Sequence, residues 1–422
     1  MGLEIRILGS GREVGRAAIE VIHKDKSLLL DYGVNFDEND IPQLPLHVKP
    51  LNIKGIVASH VHLDHIGSIP LLYVSSSPRM IATPPTIQMS RYMLEDFLKL
   101  SGYYLPFEYN EVLSMLENAE TVNYNNMIDL GEFQIELIDA GHIPGSAMTK
   151  VYISENTLLY TGDVNTIETK LTKPADTSRI NDVNILIMEA TYGVTKHPPR
   201  KKVEEAFINA VKEVIDEGGT VLVPSFSVGR SQEILCLLAE HLPYIDVYYD
   251  GMVRTILDIM LDNKQFIHRI DLLEKAVSIF KRVRGWRDRK RAWRNPSVII
   301  ASAGMLKGGP ALYYVKKISD SKKNAVFLVS YQAENTPGRN IIEKGRISDE
   351  YPLINARVEW FDFSSHAGQD GLLDIVRSAK NLEHIIIVHS EEETALKLAE
   401  QLREITGVNV LVPSNGDKIE LN

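Results

Sequence analysis

The chain has one cysteine among its 422 residues, so no disulfide can form within it. That residue, Cys236, falls in an apolar stretch at 233–238, where a thiol packs as a small hydrophobe and is not a reactive group. No window reaches the roughly 18 uninterrupted apolar residues that a membrane helix requires. The first nine residues, MGLEIRILG, carry Glu4 inside a strand-like pattern, unlike the apolar centre of a secretory leader. The expectation is a cytoplasmic protein with no membrane partner. Net positive charge is also lacking. The chain holds 46 Lys and Arg against 56 Asp and Glu, a formal net charge of −10. This argues against a general attraction to nucleic acid, but binding depends on a local field and not on the sum. Basic residues are concentrated at 281–294, KRVRGWRDRKRAWR, with eight Lys or Arg against one Asp. Arg284, Trp286 and Arg291 in this run are candidates for RNA contact, because guanidinium groups hold phosphates and an indole stacks on a base. The plainer alternative is a solvated charged face.

An apolar fraction of 44% and a charged fraction of 24% are those of a soluble globular protein. The length suits two or three domains, each with its own core. Over the first ~190 residues, short apolar runs (27–31, 55–59, 133–139, 157–163, 184–189) stop at Ser, His, Asp or Glu. Strands buried on both faces look like this, and such folds keep their chemistry at strand ends. From about residue 201 helix and strand alternate. Val203, Phe207, Ala210, Val211 and Val214 mark one face of a helix that ends at Gly218-Gly219. A strand at 220–223, a helix at 230–241 and strands at 298–301 and 325–330 follow, as in βα architecture with a parallel sheet. After Trp360 the pattern runs helix 370–380, strand 384–389, helix 391–405 and strand 408–412. The domain boundaries read from this are 1–193, 194–359 and 360–422, with the first and last parts forming one domain around the middle one.

The strongest chemical signal is His60-Val61-His62-Leu63-Asp64-His65, directly after a predicted strand. Three imidazoles and a carboxylate in six residues are costly to bury without partners. On a tight loop they can converge on metal ions. His60 and His62 reach one ion, while Asp64 and His65 reach another, as a binuclear hydrolase requires. His142, in Asp139-Ala140-Gly141-His142, and Asp163, in Thr161-Gly162-Asp163, stand at other strand ends. Singly, each is as readily a loop histidine or a turn aspartate. A donor set of imidazole and carboxylate without thiolate favours zinc, and manganese or iron would also fit.

The order His-x-His-x-Asp-His, then His, Asp and a later His resembles the metallo-β-lactamase superfamily. The resemblance implies two Zn²⁺ per chain. His60, His62 and His142 would hold the first, Asp64, His65 and His389 the second, and Asp163 would bridge them. It also implies that Asp31 braces the histidine loop through hydrogen bonds. Further motifs are similar to those of the β-CASP nucleases of this superfamily. Glu189, in Met188-Glu189-Ala190-Thr191, looks like their acidic motif A. His366, in Ser364-Ser365-His366-Ala367-Gly368, looks like motif B, and His389, in Val388-His389-Ser390, looks like motif C. Residues 223–233, 301–305 and 331–339 are similar to segments of the cleavage-and-polyadenylation-type members. Each follows an apolar strand with small residues whose free backbone N–H groups can grip phosphate without reading bases. Ser225, Ser227, Arg230, Ser302, Gly304 and Arg339 are the candidate contacts. Two residues depart from the pattern: Gly368 stands where Asp is usual, and Ser390 where Gly is usual.

The fold implied is α/β, a metallo-β-lactamase αββα sandwich with an inserted β-CASP domain, itself a parallel sheet flanked by helices. The chain begins directly in the catalytic core, without the N-terminal KH modules of some archaeal relatives. The function implied is hydrolysis of single-stranded RNA in a cleft between the two domains, leaving a 5′-phosphate, with Asp64 as general base and His366, held by Glu189, as general acid. The similarity to processing factors favours endonucleolytic cutting in RNA processing or 3′-end maturation. A 5′→3′ exoribonuclease stays open as the alternative, and so does a homodimer. A DNA-repair nuclease of the same branch fits less well, since those members typically replace the motif C histidine and His389 is present.

Overall fold

A computed structural model describes residues 2–421. The chain divides into two compact units. One comprises Met1–Glu168, Lys173–Lys196 and Ser365–Asn422, and the other Thr169–Thr172 and His197–Ser364. The four residues Thr169–Thr172 leave the first unit and return to it, which no feature of their sequence announced.

The first unit is built on two sheets of seven strands. One runs, in spatial order, Lys418–Leu421, Leu3–Gly9, Ala18–His23, Lys26–Leu30, Ile53–Val57, Met80–Ala82 and Ala119–Thr121. The other runs Asn409–Leu411, His384–Val388, Ile185–Glu189, Asn156–Tyr160, Ala147–Ile153, Gln134–Asp139 and Met127–Asp129. Their facing sides share one apolar core, in which Ile5, Ile7, Leu28, Leu30 and Val57 meet Ile135, Leu137, Val151, Leu158 and Ile187. The alternate residues of the second sheet, Met148, Leu159, Leu186, Met188, Ile385 and Ile387, pack under Leu372, Ile375, Leu398 and Leu402 of helices Gln369–Ser378 and Glu392–Thr406. Because both faces are covered, strands such as Ile185–Glu189 are buried at every position, and their sequence runs apolar without alternation.

Sequence neighbours do not share this sheet evenly. His384–Val388 pairs in parallel with Ile185–Glu189, bringing residue 388 beside 189 across the whole intervening insertion. The carboxyl ends of these strands, and that of Ile53–Val57 opposite, carry the candidate site.

The second unit is a six-stranded, wholly parallel sheet in the order Lys281–Arg282, Val247–Asp250, Ser297–Ala301, Thr220–Pro224, Ala325–Leu328, Arg357–Trp360. Helices Gly309–Ile318 and Pro337–Lys344 cover one face through Tyr314, Val315 and Ile341. Helix Arg200–Asp216 lies against Thr220–Pro224, where Phe207 meets Phe327, Phe361 and Phe363 edge to face. The helix expected at 230–241 spans Arg230–His241, its first turn following Gly229 at φ 83°. The three Ser- and Gly-bearing loops leave the carboxyl ends of three adjacent strands. They are tied together there: Gln332 Nε2 donates to the Gly304 carbonyl at 3.1 Å, and the Gly338 amide to that of Met305 at 3.1 Å.

Candidate metal centre

Strand Ile53–Val57 ends in a loop that turns at once into the short helix Leu63–Ile66, with His62 at its start. This reversal gathers His60, His62 and His65 around one point. Their rings lie 4.1 to 4.7 Å apart by centroids, measured from His60. His142 arrives from the end of Gln134–Asp139, Asp163 from the end of Asn156–Tyr160, and His389 from the end of His384–Val388. The loop carrying Asp163 passes so close to the His60 loop that a Cβ on Gly162, at φ 52°, would lie 2.7 Å from that of Ser59. Only glycine fits there.

Two main sets of donor atoms result, and a third grouping, Asp163, Glu189 and His389, overlaps them. His60, His62, His142 and Asp163 have donor atoms within 4.8 Å of one another, and so do Asp64, His65 and His389. Asp163 joins the sets: its Oδ2 lies 3.4 Å from His60 Nε2, and its Oδ1 lies 3.2 Å from His65 Nε2 and 3.7 Å from His389 Nδ1. His389 Nε2 is 3.4 Å from Asp64 Oδ2.

His65 and His142 are held from behind. Asp31, fully buried, accepts from the Ser59 amide (2.7 Å), the Ser59 hydroxyl (2.7 Å) and the Tyr160 hydroxyl (2.8 Å), and its Oδ2 lies 2.7 Å from His65 Nδ1. His142 Nδ1 lies 2.7 Å from the Ser365 carbonyl, which directs its Nε2 into the site. Asp31 and His389 both sit in the left-handed region, at φ 57° and 49°. Such strain in non-glycine residues persists where the surroundings over-determine the backbone, and it gathers at functional sites.

The chemistry of these atoms fits a cation. His65 Nε2, Asp163 Oδ1 and His389 Nε2 are buried with no hydrogen-bond partner, a costly state unless something else binds them. Burial holds the imidazoles of His60, His62 and His142 below their ordinary range, leaving them as neutral lone-pair donors. Burial opposes charge on His65 as well, but the carboxylates of Asp163 and Asp31 outweigh it and hold that group well above the usual range. Burial likewise opposes charge on Asp163, yet the cationic field of His65 and His389 keeps it well below the carboxylate range. A metal entering here displaces protons, so its affinity falls as pH drops. Imidazole and carboxylate donors without thiolate suit zinc.

Beside the two main sets stands a pair, His366 and Glu189, of which only Glu189 enters the third grouping. His366 Nδ1 lies 2.9 Å from Glu189 Oε1, and its Nε2 lies 3.8 Å from Asp163 Oδ2. Glu189 is itself fixed by the amides of Val164 (3.0 Å) and Thr191 (3.1 Å). Burial disfavours the imidazolium, but Glu189 and Asp163 together raise the His366 pKa to about 9. Of the two unusual residues, Gly368 starts helix Gln369–Ser378 and bridges to Tyr192, while the buried Ser390 donates to the Glu391 carbonyl at 3.3 Å.

In the second unit Ser225 and Gly304 are buried, and Ser227, Ser302 and Arg339 are partly open. Arg230 is 9% exposed and lies in the field of Glu233 and Asp362, so it is not a solvent-reaching arm. Arg339 pairs with Glu343 at 2.6 Å. Arg284, Trp286 and Arg291 do not join these loops. They follow the edge strand Lys281–Arg282, at one end of the sheet. The reading from sequence missed Ser59, Tyr160 and Thr191, which brace the site. Ser59 could have been suspected, since it directly precedes His60. Tyr160 had no signal, because it reads as one more apolar strand residue.

A zinc-type donor set at the strand ends of a two-sheet sandwich, interrupted by a parallel-sheet insertion, defines a class of metallo-hydrolase. Family comparisons agree on this class. The Beta-Casp domain matches residues 231–341, the Zn-dependent metallo-hydrolase RNA specificity domain matches 351–413, and the Anti-Pycsar protein Apyc1 family matches 5–190. RNase aCSPSF2 of Saccharolobus solfataricus is 51% identical over 423 residues, covering 100% of this chain and 86% of that protein. Probable RNase MJ4 of Methanocaldococcus jannaschii is 37% identical, covering 99% of this chain and 100% of its own length. A crystal structure of a protein of unknown function from Enterococcus faecalis V583 shares the fold with a TM-score of 0.66 at 12% identity, over 100% of both chains. The chain belongs to the β-CASP ribonuclease branch of the metallo-β-lactamase superfamily.

Proposed function

We propose that this chain is a zinc-dependent ribonuclease that holds two zinc ions and cuts single-stranded RNA internally, in RNA processing or 3′-end maturation, leaving a 5′-phosphate. The observation that carries the reading is the His366–Glu189 pair, set against a divided cluster of metal-type donors. A cluster alone would serve many hydrolases. A protonated imidazole beside it supplies what a phosphodiester needs, a proton for a poor leaving oxygen.

His60, His62 and His142 would hold one ion, Asp64, His65 and His389 the other, and Asp163 both. When bound, the zinc supplies a water of lowered pKa and a charge clamp for a phosphoryl oxygen. Asp64 orients the attacking water and takes its proton at Oδ2. It is the more open of the two carboxylates, with its side chain 33% exposed against 2% for Asp163. His366 gives its proton from Nε2 to the leaving oxygen. Glu189 holds the opposite nitrogen, and its charge favours the protonated ring. The loops at 225–230, 302–305 and 330–339 offer backbone N–H groups to phosphates along the strand.

The test is digestion of one RNA labelled at its 5′ end and internally, in 5′-triphosphate and 5′-monophosphate forms. Internal cutting releases labelled fragments longer than one nucleotide from both forms alike, whereas release of mononucleotides from the 5′ end would replace this reading by the exonucleolytic one. His366→Ala is expected to slow cleavage by roughly 10²–10⁴ while metal content and RNA affinity hold. A bridging sulfur at the scissile phosphate, which needs little protonation, should restore much of that rate in His366→Ala but not in Asp64→Asn. Equal, unrescued losses in both would remove His366 from the acid role.

A further inference from the structure

The basic run divides into parts with different duties. Lys281 pairs with Asp246 at 2.6 Å, and Arg282 pairs through its two terminal nitrogens with Asp258 at 2.9 and 2.8 Å. Arg289 reaches the fully buried Asp250 (2.7 Å), which also accepts from the Tyr314 hydroxyl at 3.0 Å. These three charges are spent within the fold. The rest are sorted by the helix Trp286–Arg294, whose turns place positions three and four apart on one side. Trp286, Arg289 and Trp293 face Tyr313 and Tyr314, with Trp293 Nε1 donating to the Tyr313 hydroxyl at 3.3 Å. Arg287, Lys290 and Arg294 are exposed on another face.

The third face, with Asp288 and Arg291, borders, together with Arg284 from the segment before the helix, a groove of about 640 Å³ whose walls include the apolar Val277 and Phe280. Arg284 and Arg291 form no ion pair among the described residues, and Asp288 is engaged by the Arg284 amide at 2.9 Å. We infer that this groove is a binding subsite for the phosphate backbone of single-stranded RNA, held by Arg284 and Arg291, with the exposed Trp286, two residues on from Arg284 and outside the groove's lining, as a stacking surface for a base. The inference rests on the RNA reading above and extends it. The groove is lined by none of the metal-facing groups. Two features select an RNA strand over a small anion. Arg284 lies in the segment before the helix and Arg291 more than one turn inside it, so the groove carries positive charge at two places, as a polyanion needs. Trp286 is 62% exposed yet held, edge-on to Tyr313 at 5.5 Å and under Arg289 at 5.2 Å, so stacking on it needs little ordering.

The experiment measures binding of a labelled single-stranded oligonucleotide to the full chain carrying His366→Ala, across a salt series. In that background Arg284→Gln with Arg291→Gln is compared with Arg287→Gln with Lys290→Gln, which removes the same charge from the outward face. The groove pair should weaken binding several-fold and lower the salt slope by about 1.4, at ~0.7 per single-strand phosphate contact, and the outward pair by clearly less. Thermal melts check that both variants fold. An unchanged slope in the groove pair overturns the proposal and leaves the face to a protein partner or to solvent. Equal losses in both pairs also overturn it, since a diffuse field would then suffice. Failure of the ribonuclease reading looks different: the unmutated chain with zinc would not cut RNA at all.

Discussion

The metal centre and the basic run hold comparable densities of ionisable groups, yet they are built on opposite terms. In the centre most groups are buried, and His65, His142 and His366 each have a second partner on the other ring nitrogen. In the basic run most side chains are exposed, and apart from Arg289 on the buried Asp250 their ion pairs are at the surface. Low dielectric and fixed geometry make each member of the first set irreplaceable, whereas exposed charges act additively and are screened by salt. Chemistry on a phosphodiester needs atoms held in place, but gripping a flexible polymer needs only enough positive charge in the right groove.

The sharpest way to break this contrast is to remove one group from the buried set. His65→Ala is expected to lose about one of two metal equivalents and reduce cleavage to background. Metal analysis of protein purified without chelator decides the matter, and one equivalent in the unmutated chain under metal-replete conditions would end the binuclear reading. A smaller effect is expected one layer out. Asp31→Asn keeps the shape of the brace but removes the anion facing His65 Nδ1, and should lower metal affinity or activity about 10–100-fold. Zinc titration against a chelating indicator would measure this, and an effect as large as that of His65→Ala would mean that Asp31 is itself a ligand.

The smallest effect tests the contrast from the other side, within the basic run. Arg289→Gln leaves the buried Asp250 without its cation, so it should destabilise the second unit by about 1–2 kcal/mol. That is below the ~3–5 for a fully buried pair, because Arg289 is 27% exposed and solvent screens it. Arg287→Gln should leave the melting midpoint unchanged. Equal midpoints for both variants would show that the run is uniform surface.

Much of the site was legible along the chain because its chemistry is local. His60, His62, Asp64 and His65 lie in six consecutive residues, and no ordinary core explains so many polar groups directly after an apolar strand. His142, Asp163, Glu189 and His389 each end a short apolar run, and a strand end is where a parallel sheet exposes side chains to a shared centre. Two helices of the second unit, Arg200–Asp216 and Arg230–His241, were read from the sequence, whereas Val253–Asp262, Ile270–Ile279, Trp286–Arg294, Gly309–Ile318 and Pro337–Lys344 were not. Arg230 was not legible in the same way. Its neighbours in sequence suggest a free cation after a Gly-rich turn, and only packing put it at 9% exposure near Glu233 and Asp362.

What the sequence determined by itself was therefore the inventory: which residues could bind metal, which segments are strands or helices, and that an insertion separates Glu189 from His366. Tertiary structure alone decided their company. The parallel pairing of Ile185–Glu189 with His384–Val388 puts Glu189 next to Val388 and so near His389, across about two hundred residues, and the fold presses His366 against Glu189. It also chose Asp31, Tyr160 and Ser59 as braces, and sorted eight similar cations into bound and free. The reason is physical. Propensity and periodicity act over a few residues and are written in local order, whereas burial and hydrogen-bond partnership depend on which distant segments share one core.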